Sequence, residues 1–160
     1  MVQMVQPPLE TYAGRSSSAN LRLDRLPRRR HHGGREVPLF EVAYETTFCA
    51  THVLTDSGRP IEPVHGHDWR VEVVAAGDTL DRIGVVVDFE HLKEAVGEVC
   101  RRFHYKDINA HPAFAGRSPS AEAVARYFFE EVRTGMGAEG TSLRRVRVWE
   151  APGCSATYAE

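Results

Sequence analysis

Cysteine is scarce in this chain and is not arranged to staple a fold. Cys49, Cys100 and Cys154 are odd in number and far apart, which argues against a disulfide framework and against a zinc site built from thiolates alone. Three free thiols are expected. Long apolar runs are also absent: no stretch approaches the ~20 hydrophobic residues that a bilayer-spanning helix requires, and the N-terminus has no apolar segment of the secretory kind. The expectation is a cytoplasmic protein without a membrane partner. Nor does one sign of charge dominate, since 20 Lys and Arg against 22 Asp and Glu leave a formal net charge of −2. That balance gives no electrostatic footprint for nucleic acid and leaves small neutral or anionic ligands open. What is present is ordinary for a folded protein, 42% hydrophobic and 26% charged in 160 residues, enough for one domain with one core.

Residues 1–37 differ from the rest. Pro7-Pro8, the run Ser16-Ser17-Ser18, the basic Arg28 to Arg30 and then His31-His32-Gly33-Gly34 read as a flexible tail that cannot bury enough apolar surface to order itself. His31 and His32 are adjacent, diverge on any regular element, and carry little weight as ligands. The folded domain is placed at 38–160.

Within it, Phe40, Val42 and Tyr44 alternate with Glu41 and Glu45 as in a half-buried strand. His67, Trp69, Val71 and Val73 alternate with Asp68, Arg70 and Glu72 in a second. Between them the turn formers Asp56-Ser57-Gly58-Arg59-Pro60 read as a loop. The run Ile83 to Val87 reads as a short buried strand ending at Asp88, a helix N-cap. Phe89, Leu92, Val96, Val99, Cys100 and Phe103 then form one helical stripe, which makes Cys100 a core residue. A second helix is predicted to open at Ser118-Pro119 and to bury Ala121, Val124, Ala125, Phe128, Phe129 and Val132, with Gly135 and Gly137 closing it. Val146 and Val148 alternate with Arg145 and Arg147, and Pro152-Gly153 turns the chain back through Ser155 to Tyr158 as a hairpin. The main elements run ββααββ, an α+β fold with a four-stranded antiparallel sheet and two helices on one face. The other face and the sheet edges would be exposed in a lone domain, so a ring-like homo-oligomer is expected.

His65-Gly66-His67 puts two imidazoles on one face of an extended segment, because side chains two apart in a strand point the same way. His52 would complete a three-nitrogen site with one open position for substrate. By itself a His-x-His pair is weak evidence, and surface or core histidines are the commoner meaning.

The surrounding blocks add to it. Phe48-Cys49-Ala50-Thr51-His52 with His65-Gly66-His67 resembles the Phe-Ser-Ala-Ala-His and His-Gly-His blocks of the 6-pyruvoyl- and 6-carboxy-tetrahydropterin synthase family. Gly84 to Phe89 with Leu92-Lys93, Lys106-Asp107-Ile108-Asn109, Ser118 to Glu122, and Val148-Trp149-Glu150 with Ala156-Thr157-Tyr158 are similar to further blocks in the same order, over residues 40–160. The resemblance implies the tunnelling fold, trimers paired into hexamers, and active sites between subunits. It implies Zn2+ held by His52, His65 and His67, a pterin substrate anchored by Glu150, and Ser120 and Glu122 lining the pterin pocket. The metal would polarise side-chain oxygens, and one carboxylate accepts two parallel N–H bonds from a guanidine-like edge.

Two places depart from the family pattern. Where the synthases carry a cysteine four residues before His-Gly-His, this chain has Ile61, with Glu62 beside it. That resembles the subgroup with glutamate as catalytic base, which cleaves 7,8-dihydroneopterin triphosphate to 6-hydroxymethyl-7,8-dihydropterin, and Glu62 is the expected base. The alternatives are 6-carboxy-5,6,7,8-tetrahydropterin synthase of the queuosine and deazapurine route, 6-pyruvoyl-tetrahydropterin synthase, or a catalytically degenerate paralogue that binds zinc and pterin. The family's Asp-His pair aligns with His104-Tyr105, leaving His104 as a second catalytic candidate without an orienting carboxylate. Structural roles are expected for Cys49 and Cys154.

Overall fold

A computed structural model describes residues 28–30 and 36–160. Most of the predicted tail, His31 and His32 included, lies outside the described residues, and the part inside forms a two-stranded antiparallel ribbon, β1 (Arg28–Arg30) with β2 (Glu36–Pro38). The frame of the domain is a pair of 13-residue strands, β3 (Phe40–His52) and β6 (His65–Gly77), antiparallel from Phe40 opposite Gly77 to His52 opposite His65. Between them the expected loop is a small hairpin. β4 (Thr55–Asp56) pairs with β5 (Arg59–Pro60) through Ser57 and Gly58, both at positive φ, the geometry two-residue hairpins favour.

The sheet corrects the predicted four-stranded antiparallel arrangement. It has five strands in the order β7-β3-β6-β8-β9, where β7 (Lys106–Asp107) runs parallel to β3 beside Ala50 and Thr51. β8 (Leu143–Ala151) and β9 (Cys154–Ala159) form the expected hairpin. A two-residue strand leaves no alternating pattern in sequence, which is why β7 was invisible there. The expected strand over Ile83–Val87 is likewise absent. Asp81 accepts the N–H groups of Ile83 and Val85 through its carboxylate, Gly84 turns at positive φ, and Ile83 is exposed, so a local polar turn overrides the apolar run.

Helix α1 (Phe89–Phe103) starts at Asp88 as expected, the Asp88 carboxylate accepting the Glu90 N–H, and buries Leu92, Ala95, Val96, Val99, Cys100 and Phe103. Phe89, placed in that stripe from sequence, is exposed. Helix α2 (Ala121–Gly135) is capped by Ser120, whose hydroxyl accepts the Ala123 N–H. Ser118, the expected cap, instead accepts the Thr55 N–H, tying the 55–60 hairpin to the approach to α2. Both helices lie on one face of the sheet, around Phe48, Trp69, Phe103 and Phe128, with Phe48 stacked 6.0 Å from Trp69 and 5.4 Å from Phe128. Burying each such side chain stabilises the fold by about 1.5–3 kcal/mol.

The opposite face carries charged pairs, although Val74 and Ala76, which share it, are buried. Arg145 reaches Glu41 at 3.2 Å and Glu72 at 3.7 Å, and Arg70 lies 3.6 Å from Glu45. The Arg70 guanidinium also sits 3.6 Å over the Trp149 ring.

Candidate metal centre

The paired ends of β3 and β6 position three imidazoles. His52 and His65 are direct cross-strand partners, and His67 follows one pleat later opposite Ala50, so all three project from the helix-covered face. Their ring centroids are 4.7, 4.8 and 5.4 Å apart. His52 is fully buried.

Backbone carbonyls set which nitrogen of two rings faces inward. Nδ1 of His52 lies 3.0 Å from the Pro119 carbonyl oxygen, and Nδ1 of His65 lies 2.8 Å from that of Pro63. A carbonyl only accepts, so each Nδ1 donates to it, and Nε2 is the atom each ring directs at the group. Those Nε2 atoms and that of His67 converge on Oε1 of Glu150, at 3.1 Å from His52, 3.3 Å from His67 and 3.9 Å from His65. The four ligand atoms all lie within 4.8 Å of one another. Among the described residues, the His67 Nε2 is buried with no hydrogen-bond partner, and burial, opposed by Glu150, pushes the His67 pKa below its ordinary value and favours the neutral, ligating form. Lone pairs gathered around a carboxylate oxygen repel unless a proton or cation lies among them. Three imidazole nitrogens and one carboxylate oxygen at this spacing suit a tetrahedral divalent ion, zinc above all.

Glu62 stands at the edge of this group, its Oε1 accepting the Leu54 N–H at 2.9 Å and lying 4.0 Å from Nε2 of His65. On the other side, Glu150 lines a cavity of about 440 Å³ together with Ser120, Glu122, Leu54, Cys154 and Ser155. The two carboxylates and the three histidines singled out in sequence are therefore gathered at one place, with Ser120 and Glu122 along the adjoining cavity wall.

His104 is not brought into that group within the chain. It follows the last turn of α1, its Nδ1 accepts the Cys49 N–H at 3.1 Å, and its ring packs 4.0 Å from that of Tyr105. Tyr105 has φ of 57° and is 79% exposed. Cys49, an odd number of residues from His52, points to the opposite sheet face, where its thiol bonds the Asp68 carboxylate and its pKa is raised by that bond. A second cavity of about 470 Å³ adjoins Cys49, Asp68, Tyr105 and Asp107.

Sequence reasoning gave no role to Asn109, whose amide both accepts the Val53 N–H and donates to the Val53 carbonyl, each at 2.9 Å, fixing the chain just after His52. Its signal was the Lys106-Asp107-Ile108-Asn109 block. The Pro63 and Pro119 carbonyls had no signal, since a backbone acceptor leaves no mark on residue type.

Residues 41–160 match the family described as 6-pyruvoyl tetrahydropterin synthase, and the chain belongs to that family. Among similar proteins is one from Archaeoglobus fulgidus, provisionally named a 6-carboxy-5,6,7,8-tetrahydropterin synthase, 31% identical over 109 residues, which span 68% of this chain and 86% of that one. The Haemophilus influenzae 6-carboxy-5,6,7,8-tetrahydropterin synthase is 24% identical over 144 residues, covering 76% of this chain and all of that one. In structure, the Caenorhabditis elegans 6-pyruvoyl tetrahydropterin synthase superposes with a TM-score of 0.69 at 22% identity, over 78% of this chain and 97% of that one. A Plasmodium vivax 6-pyruvoyltetrahydropterin synthase, solved with a catalytic glutamate replaced by alanine, gives 0.63 at 19% identity, over 76% and 98% of the two chains. Among the described residues no helix is long and apolar enough to cross a membrane.

Proposed function

We propose that this chain is a zinc-dependent enzyme that cleaves the side chain of 7,8-dihydroneopterin triphosphate to give 6-hydroxymethyl-7,8-dihydropterin. The observation that carries the reading is the convergence of three imidazole Nε2 atoms, two of them on rings oriented by backbone carbonyls, beside two carboxylates and a cavity. His52, His65 and His67 would hold the ion, which supplies a Lewis acid for the side-chain oxygens. Glu150 takes the guanidine-like edge of the pterin, and Ser120 and Glu122 line its pocket.

Glu62 takes the proton of the 2′-hydroxyl. The bond between the first and second side-chain carbons then breaks, its electron pair stays on the pterin side, and that carbon receives the proton, so hydroxymethylpterin and glycolaldehyde triphosphate account for every atom. Support for a glutamate base comes from Glu62 lying 4.0 Å from His65, and from the Plasmodium vivax synthase being described with a catalytic glutamate. The family resemblance further suggests a trimer or hexamer of the tunnelling fold, in which His104 would act at a neighbouring copy's site.

A second reading, 6-carboxy-5,6,7,8-tetrahydropterin synthase, is favoured by the names of the Archaeoglobus fulgidus and Haemophilus influenzae relatives. One experiment separates the two. Zinc-loaded protein is incubated with dihydroneopterin triphosphate and the products are identified by mass. Hydroxymethylpterin is the expected product. Carboxypterin would establish the second reading, and unchanged substrate would reduce the chain to a binding protein.

A further inference from the structure

Glu150 faces two ways. It is skipped in the pairing of β8 with β9, where Trp149 pairs with Ser155 and Ala151 with Cys154, so it is the extra residue of a bulge. Alternation puts it on the face of Val148, and its Oε1 enters the histidine group, 3.1 Å from His52 and 3.3 Å from His67, while the same side chain walls the 440 Å³ cavity beside Ser120 and Glu122.

These positions serve different partners. Two parallel N–H bonds from a guanidine-like edge need both carboxylate oxygens turned into the cavity. With Oε1 turned toward the imidazoles, the carboxylate instead completes a three-nitrogen, one-oxygen shell, the number a tetrahedral zinc takes when no place is left for solvent. One side chain cannot do both at once.

We propose that Glu150 is an exchangeable fourth metal ligand: it closes the shell at rest, and a pterin entering the cavity draws it away, opening the coordination place only when a substrate is seated. This rests on the zinc and pterin reading above and adds to it a gate made of one carboxylate. The nearest charged alternative, Glu62, is 4.0 Å from His65 only and is held by the Leu54 N–H.

Zinc affinity is measured by chelator competition on the wild-type chain and on Glu150→Gln and Glu150→Ala, with circular dichroism of the metal-free proteins as the fold control. A ligand role predicts affinity at least ~10-fold weaker in both variants, the lower end of what even outer partners of a metal contribute. Unchanged affinity overturns the proposal. Because the variants could lose their fold, a second measurement uses the wild-type chain alone, loaded with cobalt(II) and titrated with unsubstituted pterin, which has the guanidine-like edge but no side-chain oxygen. The expected result is a change in the visible cobalt bands that saturates with pterin binding followed by fluorescence. Bands that stay constant while pterin binds refute the exchange and leave the proposed function standing. A wild-type chain that takes up neither zinc nor pterin refutes both.

Discussion

At the scale of single residues, the two glutamates at the cluster have separable expected effects. Glu62 is not within bonding distance of the converging nitrogens, so Glu62→Ala should keep zinc and pterin binding while turnover falls by about 10²-fold or more, the range general bases contribute. Full activity in that variant, with zinc content measured alongside, would remove Glu62 as the base. The thiols give a second test. Burial pushes Cys100 up to about 11, the bond to Asp68 raises Cys49, and Cys154 is exposed. Iodoacetamide at pH 8 should therefore label Cys154 first, Cys49 more slowly and Cys100 only on unfolding, read by peptide mass, because only the thiolate reacts.

His111 supplies a pH test away from the metal group. Its ring packs against Phe103 and Tyr127, its Nδ1 accepts the Ala113 N–H, and burial, reinforced by Arg102, lowers its pKa below 6.5. A depressed histidine is neutral in the fold and protonated more readily when unfolded. Its contribution is therefore complete above about pH 6.5 and is lost as pH falls from there through the lower folded value. His111→Asn keeps an acceptor for Ala113 but does not titrate, so its denaturation midpoint should decline less on acidification than that of the wild type. Parallel declines in urea melts between pH 7 and 5 would contradict this.

Among the elements, those with a long regular period were legible in sequence. The stripe of Leu92, Val96, Val99 and Phe103 and the alternation through Trp69, Val71 and Val73 each repeat often enough to reveal their buried face. What was missed is short or set by single polar bonds: two-residue β7, the Asp81 turn that replaces a strand, and the cap moved from Ser118 to Ser120 because Ser118 serves Thr55. In the site, the clustering of His52, His65 and His67 with Glu150 was legible from spacing and resemblance. The carbonyls that orient His52 and His65 depend on tertiary placement, which residue types do not encode locally. Gly140 is a further case, since it reads as a turn former but is needed for space. A Cβ there would collide with the Arg133 carbonyl oxygen at the end of α2. Gly140→Ala should cost about 1–3 kcal/mol, as overpacking does, measured by urea denaturation, and a loss below about 0.5 kcal/mol would show that the short 3-10 helix Gly137–Ser142, which holds Gly140, shifts freely.

For the whole molecule, the sheet separates two environments. The helix-covered face holds the core and the histidine cluster, while the other carries the Glu41, Glu72 and Arg145 set and the Arg70–Trp149 stack. Any assembly that encloses this second face must keep it wet or match its charges, because burying ion pairs without full hydrogen bonding is unfavourable. Under the proposed zinc reading, metal linkage would act on the whole fold. An ion that binds only the folded chain raises stability by about 2.7 kcal/mol at a hundred times its dissociation constant. The melting temperature should therefore rise with added zinc, fall with chelator, and stop responding in His52→Ala.

The bond from the His52 ring to the Pro119 carbonyl reaches the residue just before the cap of α2. A cation that fixes that ring would thereby act as a rivet, pinning the sheet to the first turn of the helix. Amide protons of Ala123 and Val124, which are bonded to Ser120, should then exchange with solvent more slowly in the loaded protein, so that a helix terminus reports the occupancy of a site it does not itself line.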